Sequence, residues 1–201
     1  GAGAVVIEES KNKSDGEIYS FSNGLSSDNL EILEIPNFGS AMDRFNPDEA
    51  ARVRWTFDGQ EIFKSGVRAM AQASAEAIEK SGLSKEDVDI FIPHQANIRI
   101  VEALEKKLGL PNATTIKKVH RYGNTSAASI PTAFVDALEE GEIKGGEIAV
   151  FTAVGAGLAW GACAVRLGDR VTPINKSDAK LPDFDGTATD TIKRAIEYQV
   201  P

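Results

Sequence analysis

The sequence contains very little cysteine and histidine, with one cysteine and two histidines among its 201 residues. The lone cysteine excludes an internal disulfide and a metal site built from several cysteines, and the two widely separated histidines argue against a metal cluster. No apolar run reaches the length of about 18 residues at which a helix can cross a bilayer. We therefore expect a protein of a reducing, cytoplasmic compartment, without a metal and without a membrane span.

Positive charge is also scarce, because 30 acidic residues outnumber 22 basic ones and leave a net charge of −8. This balance argues against general binding to nucleic acid. One basic stretch interrupts the acidic chain: from Arg99 to Arg121, six lysines and arginines stand against two acids, Glu102 and Glu105. Such a stretch can receive an anionic partner or can be a solvated helix face, and composition leaves both interpretations open.

Apolar periodicity and turn residues predict strands that alternate with helices, which is typical of a layered α/β domain. Strands are predicted at 4–7, 31–35, 88–92, 115–119, 147–154 and 159–167. A first helix is predicted to start at 46–49, and a second follows with Phe63 and Ala77 at helical spacing and ends near Gly82. Further helices are predicted over 97–108 and 126–139 and near 189–198. Residues 9–45 are otherwise interpreted as loops. The two strands that flank Gly155–Gly157 are expected to pair antiparallel.

Three segments place special residues directly after predicted strands, where α/β sheets favour ligand sites. They contain His94, Asn124 and the turn Gly155–Gly157. The imidazole and the amide can donate hydrogen bonds into a cavity, and a glycine-flanked turn can aim a backbone N–H at an oxyanion. Each also has a structural interpretation: a packed or capping histidine, a helix cap formed by Asn124 or Ser126, and an ordinary hairpin turn.

Cys163 invites pairing with His94 as a nucleophile and base, but its surroundings argue against this role. It lies in the middle of a predicted strand, within the apolar run 161–165. A cysteine in such a place behaves as a small buried hydrophobe, whereas a catalytic thiol requires an accessible, electropositive site. We predict that Cys163 is structural.

Four motifs follow one another along the chain. They are Asp-Gly-Gln-Glu-Ile-Phe-Lys at 58–64, Pro-His-Gln-Ala-Asn-Ile-Arg at 93–99, Arg-Tyr-Gly-Asn-Thr-Ser-Ala-Ala-Ser-Ile-Pro at 121–131 and Gly-Ala-Gly-Leu-Ala-Trp-Gly at 155–161. In order and spacing they resemble the β-ketoacyl-acyl carrier protein synthase III family, and Gly-Ala-Gly-Ala at 1–4 resembles the strand that closes that family's N-terminal half. The resemblance covers about 1–167.

The resemblance implies a thiolase-like fold, of which this chain is the C-terminal half of a two-fold repeated βαβ architecture, and usually a homodimer. The family moves an acyl group from coenzyme A to a cysteine, decarboxylates malonyl-acyl carrier protein and condenses the two, which starts fatty-acid synthesis. The partners implied are therefore acyl carrier protein, acyl-CoA and the N-terminal half. No cofactor is implied beyond the coenzyme A and phosphopantetheine thioesters that serve as substrates.

The resemblance also assigns roles to individual residues. His94 and Asn124 match the catalytic histidine and asparagine, and Ala156 lies at the turn position whose backbone N–H helps to form the oxyanion hole. The substrate-binding positions that match are Gly59 and Asn97, near the pantetheine, and Arg99, which contacts the carrier protein. The turn departs from the family by reading Gly-Ala-Gly instead of three glycines, a change that keeps a backbone donor.

The family nucleophile belongs to the N-terminal half, and Cys163 does not fall at its position. Together with a start at Gly1 that lacks methionine, this leads us to expect further sequence upstream. The predicted division is 1–45 for the end of the N-terminal half and connecting loops, 46–167 for a C-terminal thiolase-like domain, and 168–201 for an extension. Two alternatives remain: a non-catalytic or half-site subunit that pairs with a cysteine-bearing chain, and a related polyketide-starter synthase.

Overall fold

The computed structural model describes residues 1–28, 30–34, 56–169 and 186–199. The chain divides into two compact units, one of Gly1–Leu33 with Phe57–Thr172 and the other of Glu34–Thr56 with Pro173–Pro201. The domain division expected from the sequence stays a prediction. Among the described residues, no helix has both the length and the apolar character that a membrane span requires.

Five strands of the first unit form one mixed sheet. The strands of the structure are β1 Glu17–Leu25, β2 Leu33–Glu34, β3 Thr56–Phe57, β4 Ile90–Pro93, β5 Thr114–Thr115, β6 Ile148–Gly155 and β7 Ala159–Arg166. The sheet has the order β1-β7-β6-β4-β5, and β2 pairs with β3 separately. β4 is parallel to β5 and β6, whereas β7 is antiparallel to β6 and β1. The antiparallel pairing expected for the last two strands is confirmed.

Helices cover both faces of the centre of this sheet. The helices that do so are α1 Gly59–Lys80, α2 Ile98–Leu108 and α4 Ser129–Glu139. The first unit also contains the short helix α3 Val119–Tyr122, and the second unit contains α5 Ala188–Gln199. One core contains buried residues of α1 and α2 with Phe91, and the other contains Ala133 and Ala137 of α4 with Ile90 and Ile92. β4 is therefore buried on both faces, as its unbroken apolar sequence predicts. The α/β class is confirmed.

The helices that flank the site begin at capping side chains. The Oδ1 atom of Asp58 accepts from the N–H groups of Gln60 and Glu61 at 3.1 and 3.0 Å and starts α1. The Oδ1 atom of Asn97 accepts from the N–H of Ile100 at 3.0 Å and starts α2. Gly109 ends α2 with a φ of 61°, a left-handed conformation that glycine adopts without steric cost. These caps fix where both helices start.

The strand β1 is missing from the sequence prediction, which interpreted 9–45 mostly as loops. Its inward side chains are serines: Ser20 donates to the carbonyl oxygen of Ala77, and Ser22 donates to the carboxylate of Glu76 on α1, both at 2.5 Å. Phe21, which points the other way, is 63% exposed. In β1 the polar residues are thus buried and an apolar residue is exposed, which is the reverse of the usual pattern. The sequence pattern therefore did not indicate a strand here.

Two further strand predictions are corrected. Residues 4–7 form no strand and are exposed, because β propensity alone does not make a strand without a neighbouring strand to pair with. The strand predicted at 115–119 is reduced to β5 at Thr114–Thr115, and the chain turns into α3 at Val119. The predicted helix start at 46–49 and the last residue of the strand at 31–35 lie outside the described residues.

Candidate active site

His94 lies at the carboxyl end of β4, one residue after Pro93. Its backbone N–H donates to the carbonyl oxygen of Thr152 in β6 at 2.7 Å, which continues the parallel pairing of the two strands. The imidazole is half-buried, and its Nδ1 atom is 2.5 Å from the Oγ atom of Ser129, the first residue of α4. The sheet and α4 together therefore hold the ring in place.

Burial lowers the pKa of His94 below its ordinary value. The cause is desolvation, which disfavours the charged imidazolium. At neutral pH the ring is accordingly neutral, and one of its two nitrogens carries a proton. A neutral ring can donate one hydrogen bond without bringing a net charge to the site.

His94 opens into a cavity of about 440 Å³, which we call the His94 cavity. Its walls are residues 126, 127, 129 and 130, the end of β6 from Ala153 to Gly155, and the start of β7 from Ala159 to Gly161. The polar side chains that line it are His94, Ser126, Ser129 and Trp160. The remaining lining is apolar, so a charge that develops in this space would depend on a few fixed donors.

Asn124 lies in the exposed loop between α3 and a 3₁₀ turn at Ser126–Ala128. Its Oδ1 atom accepts from the N–H of Ser126 at 2.8 Å, which forms a local turn and supports the left-handed φ of 57° at Ser126. This contact is a local turn and not the helix cap considered from sequence, because the N-cap residues of the 3₁₀ turn and of α4 are Thr125 and Ala128. The Nδ2 group has no hydrogen bond to the described part of the chain and keeps both protons free to donate. Asn124 does not itself line the His94 cavity, although Ser126 and Ala127 do.

The turn between β6 and β7 forms one end of the same cavity. Gly155 lines it, Ala156 is exposed next to it, and Gly157 adopts a φ of 75°. A left-handed φ of this size suits glycine at 157. Replacement of the family's middle glycine by alanine at 156 is compatible with the turn, because Ala156 does not have a positive φ. The backbone donor predicted at Ala156 thus lies beside the cavity and not in its wall.

A second cavity of about 670 Å³ contains all three predicted substrate-binding residues. Its lining residues, which define the Gly59 cavity, are Gly59, Gln60, Phe63, Lys64, Asn97, Ile98 and Arg99. The first turns of α1 and α2 form it. A Cβ at Gly59 would come within 3.2 Å of the Phe57 ring, so a larger residue at this position would crowd Phe57.

The basic stretch is largely neutralised by acids from elsewhere in the fold. Lys117 pairs with Glu105 at 2.7 Å. Lys118 pairs with Glu140 and Glu142 at 2.6 and 2.8 Å. Arg121 pairs with Asp136 and Glu140, both at 2.8 Å. The excess of positive charge counted along 99–121 therefore overestimates the charge that is available to a partner. The cations of this stretch without an ion pair to the described residues are Arg99, Lys106 and Lys107.

With this geometry in hand, comparisons with known proteins identify the family. Residues 78–167 match the family described as 3-oxoacyl-[acyl-carrier-protein (ACP)] synthase III C terminal. A curated relative, β-ketoacyl-[acyl-carrier-protein] synthase III 2 of Vibrio cholerae, is 46% identical over 98% of this chain and 54% of its own length. Over residues 78–167 the chain therefore carries the C-terminal domain of the β-ketoacyl-acyl carrier protein synthase III family. It spans about half the length of the curated relatives that it matches.

Solved structures agree with this assignment. The 3-oxoacyl-[acyl-carrier-protein] synthase III of Aquifex aeolicus has a TM-score of 0.65 and 37% identity, and the match covers 79% of this chain and 46% of that chain. The priming β-ketosynthase of the R1128 polyketide biosynthetic pathway has a TM-score of 0.69 and 31% identity, over 76% and 45% of the two chains. The predicted thiolase-like fold of the synthase III C-terminal half is confirmed.

Cys163 lies in the middle of β7, half-buried, with its backbone paired to Phe21 and Phe151 on the two neighbouring strands. Burial raises the pKa of its thiol. A thiol with a raised pKa holds less of the nucleophilic thiolate at neutral pH. The structural role predicted for Cys163 fits this environment. In the described ranges, no group of three or more metal-binding side chains comes together.

Two residues of the candidate site were missed by the sequence analysis, Gln95 and Ser129. Gln95 is buried, and its amide donates to the carbonyl oxygens of Pro93 and Ile116 at 2.7 and 3.2 Å. Its Oε1 atom accepts from the N–H groups of Lys118 and Val119 at 2.9 and 3.1 Å. The sequence contained one signal for Gln95, a polar residue between a buried strand and a helix start. It contained none for the contact of Ser129 with His94, which are 35 residues apart.

Proposed function

We propose that this chain is the C-terminal part of a β-ketoacyl-acyl carrier protein synthase that joins an acyl-CoA starter to malonyl-acyl carrier protein and so initiates fatty-acid synthesis. Loss of CO2 from the malonyl thioester leaves an enolate with negative charge on the thioester oxygen. In this proposal His94 and Asn124 each donate a hydrogen bond to that oxygen, and the backbone N–H at Ala156 serves the second tetrahedral centre, at the acyl thioester. The enolate carbon attacks the acyl thioester, forms the new carbon–carbon bond and releases the cysteine thiolate.

The observation that carries the proposal is a neutral imidazole held at the wall of an otherwise mostly apolar cavity. His94 has a lowered pKa because it is buried, so it can donate at neutral pH without being consumed as an acid. A fixed donor in a site of low dielectric stabilises a developing oxyanion far more than a solvated donor does. The free Nδ2 group of Asn124, on the loop that leads into the same cavity, supports its role as the second donor.

The nucleophilic cysteine is proposed to come from outside residues 1–201, in the N-terminal half that the resemblance implies, since this chain spans about half the length of the curated relatives that it matches. Cys163 is a poor nucleophile because its burial raises its pKa. Exposed apolar residues on the face of the sheet opposite α1 also favour a partner that packs there. Phe21, 63% exposed, adjoins Ile130, Phe151 and Cys163 around a cavity of about 480 Å³ on this face. Exposed apolar surface of this kind is typical of an interface.

The substrates and setting follow from the same proposal. The Gly59 cavity would receive the pantetheine arm, with Gly59 and Asn97 beside it, and Arg99 would contact the acidic carrier protein. No cofactor is needed, because the thioesters of coenzyme A and of the carrier protein are themselves the substrates. We further propose a homodimer that acts in the cytoplasm, with no nucleic-acid or membrane partner.

A second candidate has the same chemistry and a different product, the priming step of polyketide synthesis. The observation that favours it is the likeness to the R1128 priming β-ketosynthase, with a TM-score of 0.69. Both candidates use decarboxylation at His94 and Asn124, so they differ only in the starter and in the carrier protein that is served. Rates with acetyl-CoA and with longer acyl-CoA starters, measured with each type of carrier protein, would separate them.

The decisive experiment replaces His94 by alanine in the complete enzyme, meaning residues 1–201 together with the cysteine-bearing half. We expect decarboxylation of malonyl-CoA to fall by about 10²-fold or more, because an oxyanion donor is lost. Transfer of the acyl group from acyl-CoA to the cysteine should remain largely intact, because that step forms no malonyl enolate. The two half-reactions are measured separately, by CO2 release and by the mass of the acylated enzyme.

The matched control is His120→Gln, which changes the other histidine of this chain, an exposed residue of α3. It should leave both half-reactions unchanged. Equal damage to both half-reactions in His94→Ala would indicate a structural histidine and would refute the catalytic role.

A further inference from the structure

Ser129 contacts the candidate catalytic histidine directly. Its side chain is buried, with 2% of the residue exposed, and its Oγ atom lies 2.5 Å from Nδ1 of His94. The same Oγ atom accepts a hydrogen bond from the backbone N–H of Gln95 at 3.2 Å. A serine hydroxyl has one proton to donate and two lone pairs that accept. One lone pair of Ser129 Oγ accepts the N–H of Gln95, so the hydroxyl proton of Ser129 still needs an acceptor.

Nδ1 of His94 is the acceptor available to that proton among the residues that the structure describes. If Nδ1 carried its own proton instead, Ser129 would accept from two N–H groups, and its hydroxyl proton would be buried without a partner. Burying an unsatisfied donor is unfavourable. The arrangement with the proton between Oγ and a bare Nδ1 atom satisfies all of these groups.

We propose that Ser129 is a positioning residue that donates to Nδ1 of His94 and so holds the imidazole in the tautomer with its proton on Nε2. This inference rests on the proposed function and deepens it, because it assigns the atom that stabilises the enolate. Nε2 has no hydrogen bond to the described residues, so its N–H is free to donate to a substrate in the His94 cavity. The opposite tautomer would present a lone pair to the enolate oxygen, and the two would repel each other.

The test compares Ser129→Ala with the unchanged complete enzyme. Nitrogen-15 NMR of labelled histidine reports which ring nitrogen carries the proton, and the signal of His94 is assigned as the one absent from His94→Ala. In the unchanged enzyme we expect a single Nε2–H form. In Ser129→Ala we expect a mixture of tautomers and a loss of malonyl-CoA decarboxylation of about 3- to 10-fold, the size expected for one lost hydrogen bond.

Two further variants separate positioning from structure. Ser129→Thr keeps the hydroxyl and should retain the Nε2–H form and most of the decarboxylation rate. Ser74→Ala removes another fully buried serine hydroxyl, which donates to the carbonyl oxygen of Met70 at 2.8 Å in α1, and should change neither the tautomer nor the rate.

The outcomes distinguish this inference from the proposed function. An Nδ1–H form in the unchanged enzyme would overturn the inference whatever the variants do. So would a Ser129→Ala enzyme with an unaltered tautomer, even if its rate fell, because the serine would then act in another way. If His94→Ala itself decarboxylated malonyl-CoA at full rate, the proposed function would fail first.

Discussion

The imidazole of His94 couples protonation to folding, because its pKa is lower in the folded protein than in the unfolded chain. An unfolded histidine titrates near pH 6.5. Below that pH the unfolded chain binds a proton that the folded protein binds only at lower pH. The stabilisation due to a neutral, buried His94 is therefore fully present above about pH 6.5 and is lost as the pH falls through the lowered folded pKa.

This coupling predicts a pH-dependent difference between the unchanged enzyme and His94→Gln. The unchanged complete enzyme should lose more stability than the variant between about pH 7.5 and 5.5, because glutamine does not titrate. Urea unfolding at the two pH values measures the difference. His120→Gln, at an exposed histidine, controls for removal of a histidine as such. An identical loss of stability in the unchanged enzyme and in His94→Gln would contradict the coupling.

Gln95 satisfies four backbone groups at once and should be a large contributor to local stability. It is 2% exposed and joins the end of β4 to residues 116–119, which lead into the loop of Asn124. Gln95→Leu has a similar volume but leaves the N–H groups of Lys118 and Val119 unsatisfied. We expect a loss of about 2–4 kcal/mol in the free energy of unfolding. Urea unfolding of the complete enzyme measures it.

The matched control for Gln95 is Gln72→Leu, which makes the same substitution on the exposed surface of α1. The amide of Gln72 donates to Glu76 at 2.8 Å in contact with solvent. An exposed hydrogen bond of this kind contributes little, so the control should lose less than about 0.5 kcal/mol. Similar losses for the two variants would show that the buried amide network is not what stabilises this corner.

At the scale of helices and strands, the sequence predicted best where burial follows a regular apolar period. Val101, Leu104 and Leu108 lie on one face of α2 and are 0%, 0% and 2% exposed, so the helix predicted at 97–108 is confirmed. The same holds for α4, although Pro131 lies within it. Proline is tolerated there because it sits in the first turn, where its missing N–H costs no helical hydrogen bond.

The sequence predictions failed where burial depends on tertiary contacts and not on a regular apolar period. β1 buries Ser20 and Ser22 against α1 through hydrogen bonds and exposes Phe21, so neither face has the expected polarity. In the candidate site, His94 could be found from its place after a buried strand. Ser129 could not, because its meeting with His94 depends on how α4 packs on the sheet, a contact between distant parts of the chain that carries no local signal.

At the scale of the whole molecule, ion pairs cancel much of the positive charge that is counted along 99–121. The lysines and arginine at 117, 118 and 121 pair with acids on or just after α4 and with Glu105. These pairs attach the segment that precedes Asn124 to the rest of the fold, where their charges are largely cancelled. The positive charge that remains for a partner lies along α2, beginning with Arg99 at the Gly59 cavity.

This distribution predicts that Arg99→Glu weakens use of a carrier-protein substrate specifically. Arg99 is exposed, lines the Gly59 cavity and has no ion pair to the described residues, so its charge is available to an acidic protein. We expect the KM for malonyl-acyl carrier protein to rise by about 3- to 10-fold at low salt, with little change in the KM for malonyl-CoA, because charges at a rim act mainly on encounter. The effect should shrink as salt rises, since salt screens exposed charges.

The matched control is Lys80→Glu, the same change of charge at the far end of α1, roughly 30 Å along the helix from Gly59 at 1.5 Å per residue. If the two substrates, or the two variants, responded alike across a salt series, Arg99 would not be a docking residue.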